Sequence, residues 1–160
     1  MTHDHGPAGS LTHADDETVI TFTRDFAAPP DRVWQALTSA SSLSSWLAPR
    51  AEIDARLGGA VRLVFDDANT VSGTITEFEP PHTLGHSWMF DDVASTVRYT
   101  LEPTAGGTRL TLVHRGLPEH MSRGYTPGWH AYVVRLDAAI DGRTPPDWTD
   151  VFEAVSESYS

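Results

Sequence analysis

The sequence predicts an α+β domain in which a curved antiparallel sheet wraps around a long C-terminal helix and encloses an apolar cavity. Three observations predict it. From Arg50 to Arg115 the chain is a succession of period-2 apolar runs separated by short Gly, Asp and Pro turns, the pattern of an antiparallel meander. From Gly128 onward a single long stripe, Trp129, Tyr132, Val133, Leu136 and Ile140, recurs at helical spacing. A strand and two short helices precede the meander.

Met1 to Asp16 is polar, rich in Gly, His and Asp, and lacks periodicity, so residues 1–17 read as a disordered acidic tail. Thr18 to Phe26 alternates, with Ile20 and Phe22 on one side, and forms a first strand. Pro29-Pro30-Asp31 opens a helix carrying Val33, Trp34 and Leu37, and a Ser-rich turn leads to a second short helix ending near Trp46-Leu47. Within the meander, Gly58-Gly59, Asp66 to Asn69, Pro80-Pro81, Asp91-Asp92 and Gly106-Gly107 supply the turns. The clearest run is Val93, Ser95, Val97, Tyr99 and Leu101. Leu117 to Pro127 contains Pro118, Gly124 and Pro127 and reads as a broken helical turn or a mobile loop. The domain proper is 18–143. Residues 144–160 form an acidic tail in which Trp148, Val151, Phe152 and Val155 share helical spacing and can dock as a short helix.

Composition excludes several kinds of function. The 160 residues contain no Cys, which removes disulfides, thiolate metal sites and a Cys nucleophile. All 11 basic residues are Arg, so neither a Schiff-base lysine nor a P-loop lysine exists. The net charge of −11 lies mostly at the two ends, and no basic stripe runs through the chain. Nucleic acid and anionic membranes are therefore poor partners. No signal segment and no stretch of ~20 apolar residues occurs, which predicts a cytoplasmic protein without a membrane span.

Several local sequences carry a family resemblance. They are Ala28-Pro29-Pro30-Asp31-Arg32-Val33-Trp34-Gln35-Ala36-Leu37-Thr38 with Trp46, then Leu57-Gly58-Gly59, and Gly73-Thr74-Ile75 through Glu79-Pro80-Pro81 with Trp88. Gly107-Thr108-Arg109-Leu110-Thr111-Leu112 and Gly128-Trp129 at the head of the last helix complete the set. Together they resemble bacterial relatives of the Hsp90-ATPase-activator C-terminal domain, within the SRPBCC, START and Bet v 1-like superfamily. The resemblance covers about 18–143, and Trp148 to Tyr159 is similar to a tail of some members. It implies a helix-grip fold with a cavity for apolar molecules. Roles in the superfamily include lipid and steroid carriage, polyketide cyclisation and chaperone co-regulation, and the resemblance does not select among them.

Strand parity gives a testable register. If Asp91-Asp92 makes a two-residue hairpin, Phe90 pairs with Val93, Trp88 with Ser95 and His86 with Val97. His114 then lies beside Val97 on the far strand. His86, Val97 and His114 form a row on the concave face, the two histidines roughly 10 Å apart across two strand spacings, too far for one metal ion. The candidate cavity residues are Trp88, His86, Val97, Tyr99, Leu112 and His114 on the sheet, with Trp129, Tyr132, Val133 and Leu136 on the helix. His114 is the first candidate to orient or protonate a polar ligand; the competing reading is a core histidine whose hydrogen bonds are satisfied. His130 reads as a rim residue, and His120 lies where a gate to the cavity would stand. His3, Asp4 and His5, and His13 beside Asp15, read as a solvated tail rather than a metal site. Asp66-Asp67 and Asp91-Asp92 read as turn residues, and no G-x-S-x-G elbow occurs. No catalytic constellation, metal or cofactor is implied.

The resulting expectation is a protein that binds or senses a small hydrophobic or amphipathic molecule in an internal cavity. Two alternatives stand beside it. One is an Hsp90-type chaperone regulator, whose acidic ends would mediate protein contacts; a chaperone or a second copy of the chain is the partner then expected. The other is a cyclase-like or hydrolase-like enzyme acting on polyketide-like substrates, using His114 with Tyr99.

Overall fold

A computed structural model describes residues 6–14 and 17–159. Strand β1 (Ser10–Ala14) folds onto β2 (Glu17–Phe26). Helices α1 (Pro30–Thr38) and α2 (Ala40–Trp46) follow. The meander comprises β3 (Arg50–Ile53), β4 (Ala60–Val64), β5 (Thr70–Glu79), β6 (Thr83–Phe90), β7 (Val93–Thr104) and β8 (Gly107–Arg115). Helix α3 (Glu119–Ile140) crosses the sheet, and α4 (Trp148–Ser156) runs into a 3-10 turn at Glu157–Tyr159. All strands pair antiparallel in the order β1-β2-β8-β7-β6-β5-β4-β3. The curved sheet with its long helix and two early helices is the helix-grip fold.

Alternation decides which face is filled. On β7, Ser95, Val97, Tyr99 and Leu101 are buried, whereas Thr96 and Arg98 are exposed. On β8, Leu110, Leu112 and His114 point inward in the same way. These side chains meet Trp129, Val133, Leu136 and Ile140 of α3 and the α1–α2 pair in one continuous core. Burying an aliphatic or aromatic side chain of this size contributes about 1.5–3 kcal/mol, so the concave face and the helix stripe hold each other in place. Helix α1 begins with Pro30 at its first position and Asp31 in its first turn, both suited to a helix N-terminus. Trp46 is fully buried and donates its indole N–H to the Ala36 carbonyl at 2.9 Å, locking α2 against α1.

The β6–β7 register is the one the sequence predicts: Phe90 faces Val93, Trp88 faces Ser95 and His86 faces Val97, with Val97 opposite His114. Asp91 and Asp92 both take positive φ, 51° and 63°, as a two-residue hairpin with the right-handed strand twist requires. Strands β5 and β6 approach so closely that a Cβ on Gly73 would stand 1.9 Å from the Ser87 carbonyl oxygen. A register shift between Ile75 and Glu77 follows on the same strand.

Two expectations change. Ser10–Ala14, assigned to the disordered tail, is an edge strand paired with β2, because Leu11 can pack on the core; residues 1–5 and 15–16 lie outside the described residues, among them His3, Asp4, His5 and Asp15. The Leu117 to Pro127 segment is neither a broken turn nor a loop. Helix α3 runs through it with Pro127 inside, and the Thr126 hydroxyl donates to the Ser122 carbonyl at 2.8 Å, supplying an extra bond beside the turn that the proline leaves short of an N–H. The acidic 144–160 segment is docked: α4 lies on α3 through Ala131, Val151 and Val155.

Candidate functional site

Above the filled core, the fold leaves a cleft of about 810 Å³ between the β4–β5 turn, β5, β6, α3 and α4. Its position follows from local structure. Phe65 leaves the end of β4, Trp88 sits on β6, and Tyr125, Trp129 and Tyr132 succeed one another on α3 at spacings of four and three. Trp148 and Phe152, four apart on α4, close the remaining side. Phe65 stands 6.2 Å from Trp88 and 5.9 Å from Tyr132 between ring centroids. Tyr132 lies 5.6 Å from Trp148, which stacks on Phe152 at 4.8 Å. Trp88 and Trp129, 5.5 Å apart, separate the cleft from the core behind them.

Polar groups enter at fixed points. The Trp88 indole N–H donates to the Tyr125 hydroxyl at 3.2 Å. Asp66 accepts from Asn69 and from the Ala68 amide, each at 2.8 Å, and these bonds, Asn69 first, hold its carboxyl below the usual carboxylate range. Arg135 donates to the carbonyls of Ser45 at 3.2 Å, Trp46 at 3.1 Å and Pro146. It thereby ties the end of α2 and the approach to α4 onto α3. Asp147 caps α4 by accepting from the Asp150 amide at 3.1 Å. Burial raises the Tyr132 phenol, so it is a neutral hydrogen-bonding group.

Behind Trp88 runs a buried polar chain. Trp129 Nε1–H donates to His114 Nδ1 at 2.9 Å; His114 Nε2 lies 2.8 Å from Ser95 Oγ; and Ser95 Oγ donates to the Trp88 carbonyl at 3.2 Å. An indole nitrogen only donates, so Nδ1 must accept, and the imidazole is the neutral Nε2–H form that donates to Ser95. Burial, reinforced by the nearby His86, lowers the His114 pKa to about 3. Burial also lowers that of His86, whose Nδ1–H meets the Ser87 carbonyl at 2.9 Å.

Of the ten cavity candidates, Trp88, Trp129 and Tyr132 line the cleft. The other seven do not. Val97, Tyr99, Leu112, Val133 and Leu136 are core side chains, and His86 and His114 lie beneath Trp88 rather than in the open space. Side chains on the concave face meet α3 directly, and the larger open space lies toward the β5, β6 and α4 side. His130, expected at the rim, is buried and bonds Tyr159 Oη at 2.7 Å through Nδ1. His120 is exposed. Phe65, Tyr125, Arg135, Trp148 and Phe152 were missed; the i, i+4 pair Trp148 and Phe152 was the one signal in sequence that α4 presents an aromatic face. Among the described residues no group of three or more His, Asp or Glu side chains is placed to hold a metal, and no helix is long and apolar enough to cross a membrane.

Fold and cleft together define a helix-grip domain with an aromatic cleft. Residues 27–141 match the family described as activator of Hsp90 ATPase homolog 1-like protein, and the chain belongs to that family. Among solved structures it is similar to CalU16 from Micromonospora echinospora, at 27% identity over 95% of this chain and 92% of that one, with a TM-score of 0.74. It is similar to DynU16, described as a putative protein in the dynemicin biosynthetic locus, at 25% identity and a TM-score of 0.72, over 81% of this chain but 49% of that one. Protein MLL2253 from Mesorhizobium loti shares the fold at 24% identity and a TM-score of 0.74, over 78% of this chain and 97% of that one. No curated protein matches the chain significantly.

Proposed function

We propose that the chain binds a small hydrophobic or amphipathic molecule in the aromatic cleft and so carries or senses it. The observation that carries this reading is the cleft itself: about 810 Å³ of space with aromatic walls beside a core that is otherwise closed. That volume is in the range of small-molecule sites, about 300–1,000 Å³. The state of His114 also favours binding over acid–base chemistry. Its Nδ1 lone pair is taken by Trp129, its Nε2–H by Ser95, and Trp88 stands between it and the cleft. The place of DynU16 in a biosynthetic locus suits a small-molecule role for its relatives.

The test is a titration with a neutral, environment-sensitive dye such as Nile red. Gly124 lines the cleft and a Cβ there would meet nothing within 4 Å, so Gly124→Phe is the substitution chosen to narrow the mouth. Saturable one-to-one binding by the wild type, lost in a Gly124→Phe protein with an unchanged circular dichroism spectrum, supports the reading. Folded wild type that binds no dye would overturn it and turn attention to protein partners, including an Hsp90-type chaperone.

A further inference from the structure

We propose that the molecule the cleft takes is a flat aromatic cation, an aromatic frame bearing a protonated amine or an equivalent charge. This inference rests on the ligand-binding reading above and names the class of ligand. It starts from what the walls are made of. Among the 18 lining residues eight are aromatic, whereas Leu47 and Val71 are the only branched aliphatic ones. A site shaped for an acyl chain or a steroid has no need of so many rings. Rings favour a partner with a π face or a positive charge, because the face of an indole, phenol or phenyl group carries the negative part of its quadrupole.

The charged groups break the tie between neutral, cationic and anionic frames. Tyr132 stands between Phe65 and Trp148, and the chain neighbours of those two rings are Asp66 and Asp147, both lining the cleft. Asp66 and Asp147 therefore both line the cleft next to this row of rings. Asp66 is held ionised by its bonds from Asn69 and Ala68. Among the described residues the one cation lining the cleft is Arg135, which spends N–H donors from all three guanidinium nitrogens on the carbonyls of Ser45, Trp46 and Pro146. Its fork is thus committed to protein and poorly placed to grip an anion in the bidentate manner. Beyond the cleft, the chain's net charge of −11 attracts cations and repels anions at long range.

The experiment compares three probes on the same three-ring frame at mildly alkaline pH: proflavine as cation, acridine as neutral compound and 9-anthracenecarboxylate as anion. Binding is read from quenching of tryptophan fluorescence. Proflavine should bind at least about tenfold more tightly than the carboxylate at low salt and lose much of that advantage in high salt. The double variant Asp66→Asn, Asp147→Asn keeps the turn and the cap, since Asn serves both roles. It should lose about five- to tenfold in proflavine affinity, in line with two partly screened charges, with acridine little changed. Gly124→Phe should remove all three. Equal affinities for the three charges, tighter binding of the carboxylate, or a proflavine affinity indifferent to the double variant would overturn the cationic assignment while leaving the cleft reading standing. Proflavine binding that survives Gly124→Phe would place the dye on the acidic surface and overturn it also. If no frame binds, the ligand-binding reading falls and takes this inference with it.

Discussion

Trp129 donates its indole N–H to Nδ1 of His114 at 2.9 Å, and this one bond sets the tautomer of a fully buried imidazole. The remaining N–H must then point at Ser95, whose hydroxyl passes the sense of donation on to the Trp88 carbonyl. Nitrogen-15 NMR of the histidine side chains should accordingly show His114 as the neutral Nε2–H form. Trp129→Phe removes the donor and leaves a buried acceptor unpaired, at a cost of about 1–3 kcal/mol beyond the lost packing. Urea unfolding measures that loss, and a variant as stable as the wild type would show that the chain of bonds contributes nothing.

Neutral buried histidines couple stability to pH. The unfolded chain protonates His86 and His114 near their ordinary value of 6.5, whereas in the fold both are held lower, His114 at about 3. The unfolded state thus binds more protons below that value. Their contribution to stability is complete above about pH 6.5 and drains away as pH falls toward 3, by up to about 1.4 kcal/mol per pH unit for each histidine. His114→Gln retains groups able to accept from Trp129 and donate to Ser95 but cannot titrate. Its unfolding free energy should decline less steeply with acid over that window, by about one proton's worth of slope. A pH profile parallel to wild type would mean that His114 takes up its proton as readily in the folded chain as in the unfolded one.

The register that brings Trp88, Ser95 and His114 together was legible in sequence, while the open cleft was not. Period-2 alternation on both sides of Asp91-Asp92 leaves one two-residue turn that keeps the apolar residues of β6 and β7 on a common face, so Trp88 had to meet Ser95. The same reasoning placed His114 beside Val97. Parity states which way a side chain points, however, and not how far the opposing helix stands from it. Val97, Leu112 and Leu136 point inward as expected and are filled against one another, with the free volume displaced toward Phe65 and Tyr125. The wall formed by Trp148 and Phe152 depends on a tertiary contact between α4 and α3 that no local pattern encodes, and the proline at 127 disguised about two and a half turns of helix as a loop.

Docking of that last segment hinges on Tyr159. Its hydroxyl accepts from the Gly9 amide at 2.8 Å and bonds His130 Nδ1 at 2.7 Å, joining the chain's final turn to the approach to β1 and to the middle of α3. Tyr159→Phe keeps the ring but deletes both bonds, which should cost about 1–2 kcal/mol. The readout is local. Amide exchange across Trp148–Ser156 should accelerate together with that of Gly9, with the protection of β7 and β8 unchanged. Acceleration confined to the last turn would show instead that Val151 and Val155 hold α4 down unaided.

The width of the cleft should depend on Arg135 more than on any residue of its aromatic walls. Its guanidinium reaches Ser45 and Trp46 at the C-terminal end of α2, where carbonyls lack partners within the helix, and Pro146 just before the α4 cap. A single side chain on α3 therefore sets the separation of the two flanking helices. Lysine carries the same charge but has no planar fork and cannot serve three divergent carbonyls at once. Arg135→Lys should leave the core intact and lower the melting temperature only slightly, yet weaken a neutral probe about three- to tenfold, the effect of about 1 kcal/mol of lost preorganisation. Because charge is retained, a weakened neutral probe reports geometry rather than electrostatics. If Arg135→Lys binds the neutral dye as tightly as wild type while Arg135→Ala does not, the contribution of Arg135 lies in its charge, and the two helices are positioned by Trp46 and Trp148 instead.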